Sequence, residues 1–70
     1  MNRSSKETLA ETIKKLRESQ GLSREKLARM ADVSNNTIFN IEAGTQDNPT
    51  IDTLRKIATA LGVGVDDLIK

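Results

Sequence analysis

Cysteine, histidine, tryptophan and tyrosine are all missing from this chain of 70 residues, and Phe39 is its single aromatic side chain. Without cysteine there is no disulfide framework, and without cysteine and histidine there is no zinc finger and no imidazole for acid–base work. The carboxylates are scattered over short segments with no apolar pocket to tune them, so no catalytic residues, metal ligands or cofactor site are expected. Met1-Asn2-Arg3 is not followed by an apolar run long enough for a signal peptide or a membrane span. The expectation is a cytoplasmic, non-enzymatic protein held together by apolar packing alone.

Seventy residues allow one domain, residues 1–70, and a chain of this size buries roughly 60% of the surface that its unfolded form exposes. The formal net charge is only +1, but its distribution is uneven. Residues 1–31 hold eight basic side chains against four acids, whereas residues 32–70 hold three against six. Such lopsidedness fits a molecule with one side facing phosphate, and ordinary charged helix faces would also produce it.

Apolar residues recur with helical spacing throughout, and no segment alternates with period two. Ser4 or Ser5 is suited to cap a first helix over 5–19, with Leu9, Ile13 and Leu16 on one face and Gly21 as its stop. Ser23 caps a second helix over 24–31, and Lys26 stands where a capping-box acid would complete that cap. Asp32 falls at a corner expected to be left-handed, after which Val33 points inward and Ser34 caps a third helix over 35–43 with Ile38 and Ile41 inward. Gly44 ends it, and Thr45-Gln46-Asp47-Asn48-Pro49-Thr50 reads as a polar loop. Asp52 is the expected cap of a fourth helix over 53–61, Gly62 its terminator, and Val65 to Ile69 a short fifth helix over 65–69. The fold class that follows is all-α with five helices.

The third helix carries the functional signal. Its outward positions hold Asn35, Asn36, Phe39 and Asn40, and an Asn side chain can pair bidentately with the N6 and N7 of adenine in the major groove of double-stranded DNA. Three Asn residues on one short helix are unfavourable for helix propensity, a cost more readily explained by base reading than by contact with water alone. Phe39 has two readings: its ring presses on a thymine methyl group, or it rolls down to cover the edge of the core. Arg24 and Ser34 are placed to hold phosphate, Thr37 adds a hydroxyl to that set, and Asn40 reaches base or backbone. Arg3, Lys6 and Arg55 are weaker phosphate candidates. Glu42 lies near the C-terminal end of the third helix, where the dipole disfavours an acid; Arg17 of the first helix is the expected partner in a structural salt bridge.

These features resemble the lambda-repressor/Cro-type (XRE-like) helix-turn-helix family. The matching residues run from Ile13 to Leu68: Ile13-x-x-Leu16-Arg17, Gly21-Leu22-Ser23, Leu27-Ala28, Val33-Ser34, Ile38, Ile41-Glu42-x-Gly44, Pro49-Thr50-Ile51-x-Thr53-Leu54 and Ala58-x-Ala60-Leu61-Gly62-Val63. The resemblance implies a five-helix lambda-repressor-like domain, encoded by a bacterium or phage, that regulates transcription as a repressor or restriction–modification-type controller. It implies base contacts from Asn35, Asn36 and Asn40, backbone or outer-base contacts from Arg24 and Ser34, an approach of the loop around Asn48 to phosphate, and the Arg17–Glu42 pair. Two positions depart from the family pattern: Asp32 stands where Gly is commoner, and Phe39 where a small or polar residue is usual.

Such proteins bind as homodimers on near-palindromic sites whose half-site centres are about 34–36 Å apart. Val65, Leu68 and Ile69 are the candidate dimer contacts, with closure of the core as the other reading of Val65 and Leu68. An activator would also contact RNA polymerase through an acidic surface, and Glu25, Asp32 and Asp47 are too generic to assign one. The alternative function is a protein-interaction module on the same scaffold, since fold alone does not settle function.

Overall fold

The hydroxyls of Thr8, Ser23, Ser34 and Thr50 each accept the backbone N–H three residues on, and each of these residues begins a helix. The computed structural model describes residues 8–45 and 49–69. Within them the helices are α1 (Leu9–Ser19), α2 (Arg24–Ala31), α3 (Asn35–Ala43), α4 (Ile51–Leu61) and α5 (Val65–Ile69), with no strand among the described residues. The all-α, five-helix expectation holds, and the bounds of α2, α3 and α5 match the sequence reading.

Two helix starts differ from it. Thr8 is extended (φ −75°, ψ 163°) and forms a full capping box with Glu11, so α1 begins at Leu9 and not near Ser5. The Thr8-x-x-Glu11 spacing is the signal that the apolar pattern alone overlooks. Ser4 and Ser5 themselves lie outside the described residues. In α4 the cap is Thr50, whose hydroxyl accepts from the Thr53 N–H at 3.1 Å and donates to Thr53 Oγ1 at 2.9 Å. Asp52 is thereby placed in the first turn, where its carboxylate favours the helix dipole and lies 3.6 Å from Lys56 Nζ.

The corners repeat one three-residue device. In Gly21-Leu22-Ser23, Asp32-Val33-Ser34 and Gly62-Val63-Gly64 the first residue has positive φ, the second is apolar and packs on the core, and the third precedes the next helix. At the α2–α3 corner the Val33 N–H bonds the Ala28 carbonyl at 3.0 Å and the Asp32 N–H bonds the Arg29 carbonyl at 3.3 Å, closing a Schellman motif. Asp32 adopts φ 59°, ψ 44°, the left-handed backbone expected of it and one that a Cβ makes costly.

The core is one cluster: Ile13 from α1; Leu27, Ala28 and Ala31 from α2; Ile38 and Ile41 from α3; Leu54, Ile57, Ala58 and Leu61 from α4; and Leu68 from α5. α3 packs on α1 and α2, and α4 packs on α2 and α5. Small residues Ala28 and Ala31 let α2 approach its neighbours closely, and Gln20 Nε2 donates to the Leu61 carbonyl at 2.8 Å to tie the end of α1 to the end of α4. Leu68 is 2% exposed, which places it in the core and not at a dimer surface. Val65 is half-buried against the same cluster, whereas Ile69 is 53% exposed.

Replacing Asp32 with Gly removes the Cβ penalty of the left-handed corner, offset in part by the greater backbone entropy of glycine. The expected gain in unfolding free energy is about 0.5–1 kcal/mol, measured by urea denaturation. A loss of stability on Asp32→Gly would mean that the Asp32 side chain stabilises the corner by contacts of its own.

Candidate nucleic-acid interface

α3 is divided lengthwise. Ile38 and Ile41 are buried, while Asn35, Asn36 and Phe39 are exposed and Asn40 is half-exposed. The amide-bearing side chains therefore stand on the outer face, as the helical spacing predicts. The first turn of α3 carries no acid, so the positive end of its dipole is not neutralised locally. Ser34 supplies the cap to the Thr37 N–H at 3.1 Å, and its hydroxyl also lies 2.8 Å from Thr37 Oγ1. Each hydroxyl thus fixes the other in position at the helix entrance.

The α2 and α3 N-termini meet at a shallow concavity lined by Ser23, Arg24, Glu25, Asn35, Asn36 and Phe39. Four of the residues expected from the sequence come together here: Arg24, Asn35, Asn36 and Phe39. Asn40 and Thr37 lie farther along α3, and Asn48 is outside the described residues, as are Arg3 and Lys6. Arg55 is exposed on α4. Ser23 and Glu25 border the concavity as well; the sequence takes Ser23 only as a cap and Glu25 as too generic to assign, and nothing in their spacing signals a place at the site.

Phe39 is 52% exposed, so about half of its side chain is covered and half is open to solvent. The guanidinium of Arg24 lies over its ring, 5.5 Å from the centroid, a cation–π geometry. This contact pairs a residue of α2 with one of α3 and was not visible in the sequence, where the two stand 15 positions apart.

Beneath that surface is the expected ion pair. Arg17 Nε donates to Glu42 Oε2 at 2.7 Å and Arg17 Nη2 to Glu42 Oε1 at 3.0 Å, a bidentate fork, while Arg17 Nη1 donates to the Leu22 carbonyl at 2.6 Å. The Glu42 side chain is 3% exposed. Its hydrogen bonding to Arg17 raises the guanidinium's pKa above its ordinary value, against the lowering effect of burial, with further support from the Coulomb attraction of Glu42 and Glu18. Arg17 is therefore charged at every working pH. Glu42 Oε1 also lies 3.5 Å from Arg24 Nη1, so the carboxylate that locks α3 to α1 is shared with the arginine at the concavity.

Five short helices, a left-handed corner between α2 and α3, and an outward amide face on α3 define the helix-turn-helix class. The comparisons agree: residues 13–68 match the helix-turn-helix family model HTH_3, and the chain belongs to that family. It is 34% identical over 61 residues to the HTH-type transcriptional regulator SinR of Bacillus subtilis, a match covering 87% of this chain and 55% of SinR. The chain thus spans about half the length of the curated relatives it matches. A crystal structure of SinR in complex with DNA superposes with a TM-score of 0.84 at 34% identity, covering 87% of this chain and 97% of that one. The restriction-modification controller protein C.AhdI from Aeromonas hydrophila gives 0.83 at 28% identity, covering 87% and 91%. The P22 c2 repressor in complex with a synthetic operator gives 0.84 at 26%, covering 93% and 97%.

Removing one member of the buried pair, by Arg17→Met or Glu42→Gln, should cost about 3–5 kcal/mol of unfolding free energy. The double variant should cost clearly less than the sum of the two. Additive losses in that double-mutant cycle would show that the two residues act independently.

Proposed function

We propose that this chain binds double-stranded DNA sequence-specifically and regulates transcription, with α3 entering the major groove. The observation that carries the reading is the outward stance of Asn35 and Asn36 on the first turn of α3, beside Arg24, on a face that the core does not use. Residues at the start of a recognition helix reach base edges, and Asn is the side chain matched to adenine. Asn40, one turn on, extends the same stripe. The half of Phe39 that is exposed is available to a thymine methyl group. Ser34 and Thr37, with the uncompensated N-terminus of α3, hold phosphate, and Asn48 is assigned to the backbone with them.

The relatives support this reading: SinR and the P22 c2 repressor have each been crystallised with DNA, and C.AhdI is a restriction–modification controller. Among the described residues no helix is long and apolar enough to cross a membrane. We assign the functional unit as a homodimer on a near-palindromic operator. With Leu68 committed to the core, Ile69 is the residue left to make the contact, flanked by the partly exposed Val65.

Selection from random duplexes should enrich one sequence, and its binding should weaken with salt by roughly one unit of log–log slope for each phosphate neutralised. Asn35→Ala and Asn36→Ala should each lower the preference for that sequence by about 1–3 kcal/mol while leaving thermal stability unchanged or slightly higher, because Ala is the better helix former. Absence of any enriched sequence, or salt-insensitive binding to a protein partner, would refute the assignment. On a duplex with two half-sites, Ile69→Asp should abolish cooperative binding without weakening binding to a single half-site. Retained cooperativity would move the dimer contact elsewhere.

A further inference from the structure

Arg24 is placed in the reading above on the DNA side, and its geometry goes further than a phosphate contact. An arginine serving as a simple phosphate clamp gains nothing by folding back along the recognition helix. This one does so: its guanidinium lies over the Phe39 ring at 5.5 Å and its Nη1 is 3.5 Å from Glu42 Oε1, and it lines the concavity together with Asn35 and Asn36. Phe39 is four residues beyond Asn35 and three beyond Asn36, so ring and amides share one helical face. The guanidinium therefore lies beside the amide-bearing face of α3, with the Phe39 ring on one side and the Glu42 carboxylate on another.

We propose that Arg24 is a specificity-determining residue that reads a guanine in the major groove, and that Phe39 is the positioning residue that aims it. The inference rests on the DNA-binding reading. Stacking covers one face of a guanidinium and leaves its in-plane N–H donors at the rim, and two such donors match the O6 and N7 acceptors of guanine. Glu42 Oε1 attracts the group from the Nη1 side at 3.5 Å, and the side chain, still 45% exposed, has donors to spare for a base. With Arg24 held against Phe39 in the free protein, less side-chain entropy remains to be lost on binding, so the recognition is preorganised. The aromatic residue at position 39 and the arginine at position 24 are then one device.

Selection from random duplexes is carried out on the whole chain and on Arg24→Lys, Arg24→Gln and Phe39→Leu, with circular dichroism to verify that each variant keeps its helices and melts as the parent does. Arg24→Lys retains the charge and loses the planar fork. It should reduce discrimination at one G·C pair of each half-site by about tenfold with the salt slope unchanged. Phe39→Leu should relax the same pair, and adding it to Arg24→Gln should produce no further loss there. The proposal is overturned if Arg24→Lys selects the parental sequence and Arg24→Gln only lowers the salt slope by about one, the behaviour of a phosphate contact. It is equally overturned if Phe39→Leu leaves the Arg24 pair fully discriminated and relaxes only a different one, which would make Phe39 a base contact that does not aim Arg24. A parent chain that enriches no sequence refutes the DNA-binding reading, and this inference with it; a parent that enriches one isolates the question to Arg24 and Phe39.

Discussion

Glu42 stands in the last turn of α3, where the helix's own carbonyl dipoles oppose a negative charge. It is nearly inaccessible to water, so the charge has to be met from within the protein. Arg17 meets it with two parallel hydrogen bonds and spends its remaining nitrogen on the Leu22 carbonyl at the α1–α2 corner. One guanidinium thus joins α1, the entrance to α2 and the exit of α3. A buried pair of this kind adds little net stability compared with apolar residues of the same volume, and what it supplies is orientation. Apolar contacts at Ile38 and Ile41 would tolerate a small rotation of α3 about its axis; a bidentate fork tolerates much less. The direction in which Asn35 and Asn36 point is therefore decided at the opposite end of their helix, by a contact they do not make.

The rest of the scaffold converts a short chain into fixed angles between helices. Each helix is too short to be stable alone, so its ends matter as much as its faces. The corner device, a left-handed residue followed by an apolar one and then a cap, closes one helix, drops a side chain onto the core and opens the next within three residues. Asp32 performs this step at the corner that sets α2 against α3, where most of the candidate interface is formed. Its backbone pays in strain for a side chain that glycine lacks, and neither packing nor an ion pair in the structure accounts for that choice.

The parts of this architecture that were legible in the sequence are those governed by local rules. Ile38 and Ile41 at helical spacing fix which face of α3 is buried and so which face holds the Asn residues. Ser23 and Ser34 announce helix starts, and Asp32 announces a corner because few residues tolerate its backbone. The Arg17–Glu42 pair, 25 residues apart, was reachable because an acid at a helix C-terminus demands a cation. The errors share a different origin. The starts of α1 and α4 were misplaced because several hydroxyl and acidic residues stand close together near each start, and the apolar pattern alone does not single out Thr8, with its capping-box partner Glu11, or Thr50. Leu68 was left between a partner and the core because a five-residue helix has no periodicity from which to read its inner face. The stacking of Arg24 on Phe39 depends on the crossing of two helices, which no local rule supplies.

The composition of α3 follows from these constraints. Asn35, Asn36 and Asn40 are poor helix formers, and Phe39 exposes apolar surface to water, so the outward face of this helix is unfavourable for stability at nearly every position. Nothing in the helix itself compensates, since it has no acid in its first turn and no base in its last. The compensation comes from its contacts with the rest of the fold: the Ser34 hydroxyl at one end, the burial of its own Ile38 and Ile41 against the core along the inner face, and Arg17 with Arg24 around Glu42 at the other. A helix whose surface is chosen against its own stability, and whose stability is imported from the elements around it, is one whose outer side chains answer to a requirement other than folding.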